Sequence, residues 1–431
     1  MTSSLTWRNH PLNPETETIP SLIARAEADL KDVFAALEER ELRHTRRVLS
    51  LFQEHHIALR HFAPTTGYGY DDTGRDTLER LFADLFHAEE AIVRPQIASG
   101  THALSMCLFG LLTPGSHLLS ATEKPYDTMD EVIGISGDAP GSLKEMGVSF
   151  SSVDMTADGQ IDVPAVLSAI RPETRVILVQ RSRGYAWRAS VLPQGMKPLF
   201  DAVRQVRPDI FLMVDNCYGE FLADEEPTEL GADVAVGSLI KNIGGGLAPT
   251  GAYLAGTARA IERIASRLTA PGIGREVGSY AGSYQPFYQG LFIAPHTVCQ
   301  AVKTAALSAR VFELLGYQTT PSAFSERADI IQAIRMDSPE RMVAFCQGIQ
   351  AASPVDSDAV PEPWDMPGYQ HQVIMAAGTF VAGASIELSA DGPMRPPYTV
   401  YLQGGLTYAH GKLALESALS HMQKKGCLYR E

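Results

Sequence analysis

Between residues 91 and 256 the chain alternates short apolar runs with helical stretches, and few architectures satisfy that rhythm. Seven runs read as strands: Ala91–Ile97, His117–Ala121, Val148–Val153, Arg175–Gln180, Phe211–Val214, Val234–Val236 and Gly251–Ala255. Arg175–Gln180 (RVILVQ) is a continuous apolar run, as expected of a strand covered on both faces. The pattern predicts an α/β fold with a mostly parallel sheet and ligands at the carboxyl ends of its strands. Helical spacing predicts helices over 77–88 with Asp76 as N-cap, over 102–112, 193–206, 257–268 and 298–315, and through 20–60 after a polar arm at 1–19. The expected division is an arm and helix over 1–60, a large domain over 61–290 and a smaller C-terminal α+β domain over 291–431.

Residues 211–246 put an acid and a lysine at two of these strand ends. Asp215 closes FLMV, and Lys241 follows VAVGS and precedes Gly244 to Gly246. A buried ammonium is costly without a partner or a task. A lysine there suits a Schiff base with pyridoxal 5′-phosphate (PLP), and an aspartate at a strand end suits the cofactor's ring nitrogen. A capping aspartate and a solvated loop lysine would account for these two residues alone.

Other segments add candidates. Ser99-Gly100-Thr101-His102 joins a strand to a helix, where backbone N–H groups can bind an anion or merely cap. Tyr126, after the second strand, can lie over a flat ring or sit in a surface loop. Tyr68, Tyr70 and Arg75 share a glycine-rich loop, which either carries function or only connects. Arg181 and Arg183 follow the fourth strand and can take a phosphate, a carboxylate or a neighbouring acid. Arg395 lies between prolines, which stiffen a loop suited to grasping a substrate carboxylate. His55, His56 and His61 cluster without metal-site spacing, and Cys217 has no histidine base near it in sequence. No dinucleotide or P-loop motif is present.

The net charge of −14 opposes nucleic acids and anionic membranes as partners. Five scattered cysteines without a C-x-x-C fit a reducing compartment. The polar N-terminus has no signal-like apolar core, and no apolar run approaches the roughly 18 residues of a membrane span. A cytoplasmic enzyme without a metal is expected.

The segments GYGYDDTGRDTLE, RPQIASGTHA, PYDTMDEVIG, QRSRGYAWR, VDNCYGEF, GSLIKN, APTGAYLAG and SADGPMRPPY resemble those of a known family. The chain is similar, over about residues 20–425, to the PLP-dependent methionine γ-lyase-like proteins, often labelled aluminium resistance proteins, of the aspartate aminotransferase fold (fold type I). The resemblance implies a seven-stranded sheet and a PLP-bearing Lys241. Asp215 would pair with the ring nitrogen, and Tyr126 would stack on the ring and assist catalysis. Gly100, Thr101 and Ser238 would hold the phosphate, joined by Tyr70 and Arg75 from a partner subunit. Arg395 would bind the substrate α-carboxylate. A homodimer or homotetramer with shared active sites follows. The implied reaction is β- or γ-elimination from an amino acid, with sulfur as the usual leaving group. Halide loss giving an unsaturated amino acid, transamination, racemisation and a regulatory PLP-binding role are the alternatives. Ile243, Glu123 and Pro396 depart from the family's usual proline, glycine and acid, which bears on substrate identity.

Overall fold

The computed structural model describes residues 18–366 and 369–428, so residues 1–17 of the expected arm lie outside the described residues. Seven strands form the larger sheet: β1 (Glu90–Arg94), β2 (His117–Ser120), β3 (Ser149–Ser152), β4 (Thr174–Gln180), β5 (Phe211–Asp215), β6 (Val234–Ser238) and β7 (Ala252–Gly256). Their order is β1-β7-β6-β5-β4-β2-β3, with β7 antiparallel to both neighbours and the remaining pairs parallel. The mostly parallel sheet of fold type I is therefore present.

Strand β4 explains its own apolar run. Val176 and Leu178 pack with Leu104, Leu108 and Ile261 of the helices Gly100–Leu111 and Ala258–Leu268. Ile177 and Val179 point the other way, towards Met196, Leu199 and Val203 of the helix Pro193–Val206. Successive side chains of a strand alternate faces, so a sheet sheathed on both sides needs both to be apolar. Strand β3 lies at the sheet's edge, and its SFSS sequence is half-exposed, a polar rim that discourages further pairing.

Five short strands form a second, antiparallel sheet: β8 (Gln318–Thr320), β9 (Gln332–Arg335), β10 (Val373–Ala376), β11 (Ser389–Pro393) and β12 (Thr399–Gln403), ordered β10-β11-β12-β9-β8. Phe345 and Ile349 of the helix Pro339–Gln350 and Leu415 and Leu419 of the helix Tyr408–Lys424 share its core. Leu22, Ile23 and Ala26 of the helix Ile19–Asp29 join the same core, so the first of the described helices packs with the helix Tyr408–Lys424. A break at Leu30 separates that helix from Lys31–Glu54.

Two helix starts differ from the sequence expectation. The helix expected at 77–88 runs Thr73–Leu85, capped by Asp72, whose carboxylate accepts from the Arg75 N–H at 3.0 Å. Asp76 is already inside it and takes the Arg75 guanidinium instead, at 2.7 Å. The glycine at position 74 masked this first turn. The helix expected from 298 begins at Gln285 and runs 30 residues to Leu314, roughly 45 Å at the usual rise. Pro295 lies inside its first half, where a proline ordinarily ends a helix, and this hid the earlier turns. Phe287, Leu291 and Val298 pack with Phe82 and Tyr253 of the larger domain, whereas Leu307, Val311 and Phe312 pack beneath the second sheet.

The turn after Lys241 is pinned to this long helix. A Cβ at Gly244 would stand 1.7 Å from the Leu239 carbonyl oxygen, and one at Gly290 would stand 2.3 Å from the Gly244 oxygen. Gly244→Ala should therefore cost more than about 3 kcal/mol, read as a lowered urea midpoint. An unchanged midpoint would show that the turn can move aside.

Candidate active site

The strands β4, β5 and β6 end at one level, and the chain spends those ends on chemistry. Asp215 is the last residue of β5 and Ser238 the last of β6, with Lys241 in the turn that follows. A cavity of about 240 Å³ opens there, bounded by the larger sheet on one side and the second sheet on the other. Lys241, Asp215, Ser238, Gly100, Thr101 and Tyr126 all line it.

The Lys241 Nζ lies 4.0 Å from the centroid of the Tyr218 ring. Burial works against its charge, but Tyr218, Cys217 and Asp215 outweigh that and hold its pKa above the ordinary lysine value. Burial pushes the Asp215 carboxyl up, and Lys241 opposes the push. The Cys217 N–H donates to Asp215 Oδ1 at 3.1 Å and fixes the carboxylate at the strand end.

Across the cavity from these groups, the helix Gly100–Leu111 presents its N-terminus. Ser99 caps it by accepting from the His102 N–H at 3.1 Å. The first N–H groups of a helix have no partner within it and suit an anion. A Cβ at Gly100 would project towards the Cys217 Sγ and Ser238 Cβ, at 3.5 and 3.6 Å, which are ordinary contacts. Gly100→Ala should thus fold normally yet crowd the anion seat. The expected result is about tenfold weaker PLP binding with little change in melting temperature, read by cofactor titration. Unaltered affinity would remove Gly100 from that seat.

Tyr126 is held by its backbone, whose N–H donates to Gln180 Oε1 at 2.6 Å. Its hydroxyl bonds that of Tyr369, and its ring meets Tyr185 edge-on at 5.8 Å. Burial pushes its phenol well above the usual value, so it stays neutral.

Three expected residues fall elsewhere in the chain. Tyr70 is exposed. Arg75 is buried and donates to the Gly69 oxygen at 2.7 Å, beside a separate groove. Arg395 is exposed and borders a small neighbouring pocket with Lys124, Asp127 and Tyr369, and the Tyr369–Tyr126 pair links that pocket to the main cavity. Arg181 and Arg183 are structural. Arg181 donates to Asn216 at 2.7 Å and lies 3.6 Å from Glu226, and Arg183 lies 3.7 Å from Asp329. Of the departing positions, Glu123 takes a φ of +63°, a conformation that favours glycine.

The sequence reading missed the second wall. Tyr185, Tyr218, Asp391, Tyr401 and Gln403 also line the cavity. Asp391 sits four residues before Arg395 in a segment already singled out, but nothing local distinguishes it from a strand-end turn acid. Among the described residues no group of three or more histidines, cysteines or acids could hold a metal, and no helix is long and apolar enough to cross a membrane.

A lysine and an aspartate at neighbouring strand ends of this sheet, facing a helix N-terminus, define a PLP enzyme of fold type I. The methionine gamma-lyase family model matches residues 19–423, and the chain belongs to that family. An uncharacterized Bacillus subtilis protein, YnbB, is 50% identical over 410 residues, covering 95% of this chain and 97% of that one. A Clostridium novyi structure, described as a carbon-sulfur lyase involved in aluminum resistance, is 46% identical with a TM-score of 0.90, covering 94% of this chain and 96% of its own. The cystathionine gamma-lyase of Lactobacillus plantarum, 17% identical with a TM-score of 0.55 over 81% of this chain and 86% of its own, shares the fold alone. The cofactor is PLP. The residues present fit it: an acid, an amine and a glycine-opened helix N-terminus meet in one cavity.

Proposed function

We propose that the protein is a carbon–sulfur lyase that carries out β- or γ-elimination on a free amino acid. The convergence of Lys241, Asp215 and the Gly100 helix N-terminus on one cavity carries this reading. Bound there, PLP supplies an electron sink for the pair left at Cα. Lys241 tethers the cofactor and, once released as a neutral amine, takes the α-proton. Asp215 keeps a proton on the ring nitrogen. Gly100, Thr101 and Ser238 hold the phosphate, and the Tyr126 ring covers one face. Arg395 captures the α-carboxylate from the adjoining pocket, reached past Tyr369. Tyr70 and Arg75 serve the phosphate of a neighbouring subunit in a homodimer or homotetramer, which accounts for their place outside this chain's own cavity. The five cysteines, all unpaired, favour the cytoplasm.

The test is to offer the PLP-loaded protein cysteine, cystathionine, methionine, homocysteine and γ-halogenated amino acids without any amino acceptor. Release of a thiol with a keto acid is the expected result. Release of halide with an unsaturated amino acid would replace sulfur as the leaving group. Turnover only with an added acceptor would make the protein an aminotransferase, and none under either condition would leave a regulatory binder.

A further inference from the structure

An elimination moves two protons, one off carbon and one onto the departing group, and Lys241 accounts only for the first. The wall built by the second sheet carries another acid. Asp391 stands mid-strand in β11, opposite Met375 of β10 and Tyr401 of β12. It is 7% exposed and lines the cavity together with Lys241. Its Oδ2 has one long contact, from Gln403 Nε2 at 3.5 Å, and its Oδ1 has no hydrogen-bond partner. The Tyr185 hydroxyl beside it bears on the carboxyl as a hydrogen-bond donor. Buried polar atoms are nearly always satisfied, so a buried carboxyl with an open oxygen on the cavity wall marks a place where a ligand completes the bonding.

We propose that Asp391 is a catalytic residue that protonates the departing group of the substrate. The proposal deepens the elimination reading and rests on it. The Cα–H bond breaks and its proton goes to Lys241. The bond from carbon to the leaving group then breaks, and its electron pair departs on sulfur. That sulfur takes the Asp391 proton and leaves as a thiol. The Asp391 carboxylate is restored by the proton held on Lys241, so both groups return to their starting states. Tyr185 hydrogen-bonds the carboxyl during the exchange.

The electrostatics are compatible with this role. Burial raises the Asp391 pKa from 3.8 to about 7, against the pull of Tyr185 and Lys241. Besides those two, Tyr126, Tyr218, Tyr369, Tyr401 and Cys346 face or border it, and each of them has its own pKa pushed up, with burial the largest cause. Among the described residues, Lys241 is therefore the cation acting on it. The folded protein holds a proton on Asp391 that the unfolded chain gives up above about pH 4, so this group's contribution lowers stability as pH rises from about 4 to about 7.

The experiment compares Asp391→Asn with the unaltered holoenzyme on two amino acids, one losing an alkyl thiolate and one losing chloride. Chloride needs no proton to leave. The variant's kcat loss should be about 100-fold for the thiolate and at least 20-fold smaller for chloride, with KM within about threefold. In unaltered holoenzyme, thiolate release should decline as pH rises through the raised Asp391 pKa and chloride release should not. Infrared spectra of the two holoenzymes near pH 6 should differ by one carboxylic-acid carbonyl band. Equal losses for both leaving groups, or no missing band, would overturn the proposal. If the variant does not fold, the two pH profiles decide alone, and identical profiles overturn it. Failure of the elimination reading looks different: no leaving group is released by the unaltered enzyme, whatever the infrared spectrum shows.

Discussion

Replacing Lys241 with alanine should lower kcat by about a thousandfold or more while the protein still folds. The side chain has two tasks in the proposed cycle, tethering the cofactor and accepting the α-proton, and alanine performs neither. The fold should survive because the Nζ points at a cavity and a tyrosine ring rather than into the apolar core. Borohydride treatment followed by denaturation and mass measurement separates the two tasks. The unaltered chain should retain one PLP on Lys241, and the variant none. Small primary amines added to the variant should restore part of the proton transfer without restoring the tether. A variant with unaltered turnover would end the assignment of Lys241.

Asp215→Asn should cost about 100-fold or more in kcat, with a smaller loss of cofactor affinity. Asparagine keeps the shape, and its side chain can still accept from the Cys217 N–H as Asp215 does at 3.1 Å. What it removes is the charge that keeps a proton on the ring nitrogen. Stability should move the other way. Burial raises the folded Asp215 pKa above 3.8, so ionising it disfavours the folded state as pH climbs through that raised value. The asparagine variant should lose less stability across that rise, seen as a flatter curve of melting temperature against pH. Near-normal turnover in the variant would detach Asp215 from the ring nitrogen.

How much was legible depended on whether a residue's surroundings were local. RVILVQ carried its own explanation, since a strand with Val176 and Leu178 on one face and Ile177 and Val179 on the other can only be sheathed twice. Lys241, Asp215, Ser238, Gly100, Thr101 and Tyr126 each lie within a few residues of a strand end or a helix start, so the order of elements gathers them. Arg395, Tyr70 and Arg75 lie on loops, where no periodicity fixes direction. Asp391 was invisible for another reason. Its strand has five residues and owes its place to partners 14 or more positions away in β10, and its chemistry follows from burial, which no neighbouring residue announces. The Asp72 cap was missed because glycine at position 74 resembles a loop, although Asp72 and Arg75 have the spacing of a cap and its third helical residue.

The helix Gln285–Leu314 gives the molecule a single keel. One end is set into the packing around Phe82 and Tyr253, the other beneath the second sheet, and the turn carrying Lys241 is seated on it at Gly290. The two halves therefore share one mechanical frame, and heat should melt them together in one transition. The gap between the Lys241 wall and the Asp391 wall is set by that frame. Over evolutionary time it can be retuned only by exchanging side chains that face the gap, never by sliding one half past the other.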